Sequence, residues 1–129
     1  MKKLLNSFIF LLFFIVTSAI ALEKGEWTFT KEDNWCYIGS IPTKEEGKYT
    51  KRGDTYVIVY RINKSPETIV QINAGYNYDE KKAVELIIDQ SNFKLFSQGD
   101  SAWSENEDNK IIQSMIKGLK MTVKGTSFK

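Results

Sequence analysis

The chain has no histidine, one cysteine (Cys36) and two prolines (Pro42 and Pro66) among its 129 residues. Each scarcity excludes something. Without histidine there is no Ser-His-Asp or Cys-His catalytic set, and most zinc sites lose their commonest ligand. A single cysteine excludes an internal disulfide framework. No acidic residue precedes Glu23, and two of the 18 basic residues are Lys2 and Lys3. From Leu22 onward the remaining 108 residues carry 16 basic and 16 acidic side chains, so that stretch is neutral. It lacks the Lys/Arg surplus that displaces counterions from nucleic acid, and no nucleic-acid partner is expected. No Gly-rich phosphate loop, nucleophile elbow or metal motif is present, and no cofactor or bound metal is expected.

What is present begins with an address. Lys2 and Lys3 form a basic start, Leu4 to Val16 is apolar apart from Asn6 and Ser7, and Ala19-Ile20-Ala21 offers small residues where a signal peptidase reads. Residues 1–21 read as a secretory signal peptide, with Ala19, Ala21 and Leu22 defining a cleavage after Ala21. The rival reading is an uncleaved anchor, because Leu4 to Leu22 nearly reaches the roughly 20 apolar residues of a spanning helix. The Ala-x-Ala ending and the polar Glu23-Lys24-Gly25-Glu26 favour cleavage, leaving no stable membrane span.

Residues 22–129 suit one β-rich domain, able to bury roughly two-thirds of its unfolded surface. Strand patterns dominate. Trp27 to Phe29 and Trp35 to Ile38 are short runs, followed by a polar stretch from Pro42 to Asp54. Tyr56 to Ile62 is apolar on both faces and should be a central strand. Asn63-Lys64-Ser65-Pro66 reads as a turn, and Thr68 to Ala74 returns to make a hairpin. Val84 to Ile88 and Phe93 to Phe96 form a second hairpin around Asp89-Gln90-Ser91-Asn92, and Met121 to Val123 is a last short strand. One segment reads as helix, about residues 105–117. Ser104 and Glu107 fit a capping box, Ile111, Ile112, Met115 and Ile116 follow 3.6-residue spacing, and Lys117-Gly118 is a stop. The expected fold is mainly antiparallel β, a sandwich or a small barrel with one short helix.

Several residues invite a functional reading. Cys36 is alone in an oxidising compartment, where it would pair with another chain or serve as a redox thiol; flanked by Trp35, Tyr37 and Ile38, it also fits a buried small hydrophobe. Glu105, Glu107 and Asp108, with Asp100 before them, lack the spacing of a calcium loop and fit a solvated helix N-terminus. The adjacent pairs Glu32-Asp33 and Glu45-Glu46 point to opposite faces in a strand and do not form a glycosidase pair. Lys44, Lys48, Lys51 and Arg52, interspersed with Glu45, Glu46 and Tyr49, read as a solvated loop that can also meet acidic glycans or lipid headgroups. Asn63-Lys64-Ser65 matches a glycosylation sequon. Trp27, Trp35 and Trp103, with Tyr37, Tyr49, Tyr76 and Tyr78, either pack the sheet or line a binding surface. Of these, Cys36, Trp35, Tyr76 and Trp103 are the interaction or redox candidates.

The order of several pieces carries a resemblance. After the signal peptide and a Trp-containing strand come Cys36-Tyr37-Ile38-Gly39-Ser40-Ile41-Pro42, the strand Tyr56 to Arg61, and Asn73-Ala74-Gly75-Tyr76. Val84 to Phe96 follows with Asp89 and Phe93, then Ala102-Trp103, then Met115-Ile116-Lys117-Gly118 running into Met121 to Ser127. This order resembles the invasion associated locus B family of exported Gram-negative proteins across essentially all of residues 22–129. The resemblance implies a periplasmic or surface-associated β protein. The family is named for host-cell invasion by some pathogenic members; no shared biochemical activity is established for it, and there are no family catalytic residues to carry over. Relatives commonly hold more cysteines, and they continue past this region with a Gly-Thr-rich turn and another strand. The expectation is therefore a domain lacking its last strand, with the edge at Lys120 to Gly125 open to pairing with another chain.

Three functions fit these observations. The first is an exported, non-enzymatic protein that binds an envelope or host-cell component. The second is a periplasmic small-ligand carrier with aromatics at a barrel mouth, which needs a closed apolar cavity. The third is a carboxylate enzyme, which needs two acids facing each other across a cleft. The absences and the resemblance favour the first.

Overall fold

A computed structural model describes residues 22, 24–48 and 51–128. Ala19, Ala21 and the rest of the expected signal peptide lie outside the described residues, as does Tyr49. Among the described residues, eight strands and one helix follow in order: β1 (Thr28–Lys31), β2 (Trp35–Ser40), β3 (Tyr56–Ile62), β4 (Ile69–Asn73), β5 (Val84–Ile88), β6 (Ser91–Gln98), β7 (Ser101–Trp103), α1 (Asp108–Lys117) and β8 (Met121–Lys124). The strands form one antiparallel sheet in the order β1-β2-β3-β4-β7-β6-β5-β8. The sheet is not closed. Of the two architectures that fit the strand pattern, the barrel is therefore corrected and the open, sandwich-like sheet is found, with β1 and β8 as its edges.

Two ladders of the sheet share a strand. Val84 to Ile88 pairs with Leu95 to Ser91, while Phe96, Ser97 and Gln98 pair with Trp103, Ala102 and Ser101. Thus β6 belongs to one ladder by its first five residues and to the other by its last three. Val57, Val59, Val70, Ile72, Ala102, Leu95, Phe93, Val84, Leu86 and Ile88 occupy one face by strand alternation and register, and they form a single core cluster. The alternation of buried and exposed residues along β6 from Asn92 to Gln98 reflects this one-sided burial. As expected, β3 is central, between β2 and β4.

The helix covers this face, with Ile111 fully buried in the cluster and Ile112 and Met115 packed against it. It starts at Asp108, three residues later than the capping box implies. Ser104 Oγ accepts the Glu107 N–H at 3.1 Å, but this closes a turn ahead of the helix. Asp108 instead reaches out of the first turn, and its Oδ1 accepts the Val70 N–H of β4 at 3.0 Å. The helix ends at Gly118, in extended conformation, whose N–H bonds to Ser114 O at 2.7 Å.

The second hairpin is tighter than expected. Ile88 pairs directly with Ser91, so the turn is Asp89-Gln90 alone, with Asp89 at φ 52°. Aspartate tolerates this conformation. Its Oδ1 accepts the Lys120 N–H at 3.0 Å and its Oδ2 the Leu119 N–H at 3.1 Å, while its own N–H donates to Lys120 O. One side chain therefore delivers β8 to the edge of β5. Strand β7 had no period-2 signal: it has three residues, two of them Ser and Ala, and it exists because β4 and β6 hold it on both sides. At the other end, Leu22 lies over Gly39 and Ile58, where a Cβ at Gly39 would come within 3.0 Å of both side chains.

The Asp108 contact has a measurable consequence. Asp108→Ala leaves the Val70 N–H without its partner and should lower the unfolding free energy by about 2 kcal/mol. Glu105→Ala, at an exposed position, should cost less than about 0.5 kcal/mol. Denaturant unfolding that finds equal losses would show that Asp108 does not hold the helix to the sheet.

Candidate functional site: an aromatic sheet face and an acidic cleft

Register separates the candidate residues. Trp35 is opposite Ile62, Gln71 opposite Trp103, and Trp103 opposite Phe96, so these side chains share the face of the sheet turned away from the core. On it Trp35 stacks on Tyr37 with centroids 4.6 Å apart and meets Tyr60 edge-on at 5.9 Å, while Phe96 lies 5.8 Å from Trp103. These are stabilising aromatic geometries. Trp35, Ile62 and Phe96 are 37%, 52% and 48% exposed. Trp35 and Trp103 are three strand spacings apart across the sheet and four residues out of register along it, roughly 20 Å, so they frame a face rather than touch. The same face turns charged beyond β6, where Glu85 lies between Lys94 and Lys124 on the neighbouring strands.

Cys36 is on the opposite face and half-buried. Its sequence neighbours are apolar, yet register sets Lys31 and Arg61 directly across from it on the two flanking strands. It lines a shallow hollow of about 160 Å³ with Phe29, Ile38, Val59, Arg61 and Thr68. Arg61 is engaged there by Thr68, whose Oγ1 accepts its Nη2–H at 2.8 Å.

Tyr76 belongs to neither surface. It borders a cleft of about 380 Å³ at the end of the sheet where β3 starts, β4 ends and β7 starts. Tyr56, Asn73 and Ser101 are consecutive cross-strand partners and form a row there. Asp54 enters from the segment before β3 and Asp100 from the turn before β7, and Gly53, Gly75 and Asn77 complete the lining. Gly75 takes φ 80°, and its carbonyl accepts the Gly53 N–H at 2.8 Å; a Cβ at Gly75 would come within 2.6 Å of Gly53 O. Only glycine permits that approach. Arg52 is no free member of a solvated basic loop: its Nε donates to Ala74 O at 2.8 Å and its guanidinium lies 5.2 Å from the Tyr76 ring centroid. Lys44 does match the solvated reading, exposed and paired with Glu46 at 3.0 Å.

A buried network holds the floor. Ser101 Oγ donates to Asn73 Oδ1 at 2.7 Å, and Gln71 Nε2 donates to the same oxygen at 3.2 Å. Burial, then the negative charges of Asp100 and Asp54, push the Tyr56 hydroxyl above the usual tyrosine range. The cleft therefore offers two carboxylates, a neutral phenol and amide groups, a set that accepts cationic or hydroxyl-bearing groups. Among the described residues no three His, Cys, Asp or Glu side chains are grouped to hold a metal ion.

The sequence groups Asp100 with the acids before the helix; the structure parts them. Glu105 is exposed, Asp108 serves β4, and Asp100 faces the cleft. Asp54, Tyr56 and Asn73 were missed as a site. The available signal was a pair of Gly-Asp dipeptides, Gly53-Asp54 and Gly99-Asp100, each just ahead of a strand. Set beside known proteins, the chain matches no family model, no curated protein and no solved structure.

The electrostatics of the cleft can be read at Tyr56. Asp100→Asn removes one of the charges that raise it, so the ionisation midpoint of Tyr56 should fall toward the ordinary value near 10. Ring-carbon NMR of labelled tyrosine across alkaline pH measures this; an unmoved midpoint would place Asp100 away from the Tyr56 hydroxyl.

Proposed function

We propose that the chain is an exported, non-enzymatic protein, periplasmic or surface-associated, that works by binding an envelope or host-cell component through its sheet. The resemblance to the invasion associated locus B family and the signal-peptide pattern of residues 1–21 support the location. The observation that carries the binding role is the exposed aromatic face built by Trp35, Tyr37, Tyr60, Ile62, Phe96 and Trp103. Aromatic side chains on a rigid sheet give a partner a large contact area at little entropic cost, and such residues dominate interface energetics. A carrier is not favoured, because its closed apolar interior is replaced by an open sheet whose core is filled by its own side chains. An acid-pair enzyme has no support from Glu105, Glu107 and Asp108, which stand at a turn and a helix start.

The test is co-sedimentation of the purified exported protein with isolated envelope fractions and with cultured host cells. Retention by one of them is expected, falling at least tenfold in a Trp35→Ala, Phe96→Ala double variant whose unfolding midpoint stays close to the parent's. No retention in either assay, or retention indifferent to the double variant, would overturn the reading.

A further inference from the structure

We propose that the molecule assembles head to tail through its two edge strands, β8 of one copy pairing antiparallel with β1 of the next. Val123 then lies opposite Phe29, Met121 opposite Lys31, Thr122 opposite Thr30, and Lys120 opposite Glu32. The inference is independent of the aromatic face, none of whose residues lies on either edge strand.

Both edges are open among the described residues. The segments beyond them turn inward. Ahead of β1 the Gly25 N–H donates to Ile41 O at 2.8 Å, just past the end of β2. After β8 the Thr126 carbonyl accepts the Asp79 N–H at 2.7 Å, and the Phe128 N–H donates to Asn77 O at 2.8 Å, both on the segment that leads into β5. Neither tail covers the outer side of its strand. An open edge is a row of unpaired backbone groups and a template for another strand.

The ladders decide which groups point out. Hydrogen-bonded and non-bonded pairs alternate along antiparallel strands. The Glu32 N–H donates to Trp35 O and the Asp89 N–H to Lys120 O, which fixes the phase at each edge. Thr28 and Thr30 therefore bond to β2, while Phe29 and Lys31 turn their N–H and C=O outward. Thr122 and Lys124 bond to β5, while Met121 and Val123 turn theirs outward. The proposed register sets outward residue against outward residue. It also matches the faces. Phe29 is opposite Ile38 and Ile38 opposite Val59, and Val123 is opposite Leu86, so Phe29 and Val123 both point to the side that carries the core. Phe29 is 64% exposed, and Val123 of the next copy covers it. A slip of one residue would break both matches.

Charge selects the partner. β8 and the residue before it carry Lys120 and Lys124 and no acid, so a second β8 would crowd lysines onto one short ladder. β1 is followed by Glu32 and Asp33, and the register brings Glu32 to Lys120. Because the two edges differ, the contact is heterologous and does not close on a pair of molecules. Each added copy leaves one β1 edge and one β8 edge at the ends.

Sedimentation velocity and amide hydrogen exchange of the full exported chain test this, from about 10 μM to about 1 mM and with a reductant that keeps Cys36 from cross-linking. With rising concentration the sedimentation coefficient should climb past the value of a dimer. The Phe29, Lys31, Met121 and Val123 amides should pass together from free exchange to protection. Glu32→Lys and Lys120→Glu should each weaken association by roughly threefold or more, and an equimolar mixture of the two variants should restore it. A chain that stays monomeric, a plateau at the dimer, or protection of one edge alone would each overturn the proposal. So would protection of both edges at every concentration, which would mean that β8 closes onto β1 of its own chain, or a mixture that associates no better than its components.

Discussion

The hydrogen bond from Ser101 Oγ to Asn73 Oδ1 sits where the molecule is joined. On one side is the meander β1 to β4, and on the other are β7, β6, β5 and β8. The two meet along only three residue pairs, Gln71 with Trp103, Ile72 with Ala102 and Asn73 with Ser101. The Ala74 N–H, donating to Asp100 O at 3.0 Å, extends the seam by one bond. So short a ladder has few backbone bonds to lose, and a buried side-chain bond within it is worth more than the same bond at a surface. The middle pair, Ile72 and Ala102, is sealed in the core, and α1 is fastened next to it through Val70 and Asp108. The pairing, the core and the helix therefore stabilise one another.

The same seam makes the chemistry. Asn73 accepts the Ser101 hydroxyl across the seam and lines the cleft at the same position. Asp100 is there because it precedes Ser101, and Tyr56 because it is opposite Asn73. The aromatic face follows from the register two pairs further along, where Gln71, Trp103 and Phe96 align. One alignment of strands thus places an apolar contact face and a polar cleft on a single sheet.

Much of the fold was legible in the sequence, and the unread part has a physical cause. The hairpin of β3 and β4 is announced by apolar alternation around Asn63-Lys64-Ser65-Pro66, and Lys64 does take a positive φ there. Ile111, Ile112 and Met115 marked the buried side of the helix. Its start was misplaced because Ser104 and Glu107 look the same in a capping box and in a turn before a helix; what decides is Asp108, whose partner Val70 is 38 positions away. Strand β7 carries no pattern of its own. The cleft was illegible for a similar reason, since Asp54 and Asp100 meet only once β3, β4 and β7 are in register. For Cys36 the basic neighbours Lys31 and Arg61 are across the sheet, not along the chain.

The claim that the seam unites the molecule is tested most directly by native-state hydrogen exchange at the Ala74 amide in increasing denaturant. If β4 and β7 bind the halves into one cooperative unit, Ala74 should exchange only in the global unfolding reaction, with the same opening free energy as the amides of β5 and β6. Exchange of Ala74 through a separate, lower-energy opening, while β5 and β6 stay protected, would contradict the account.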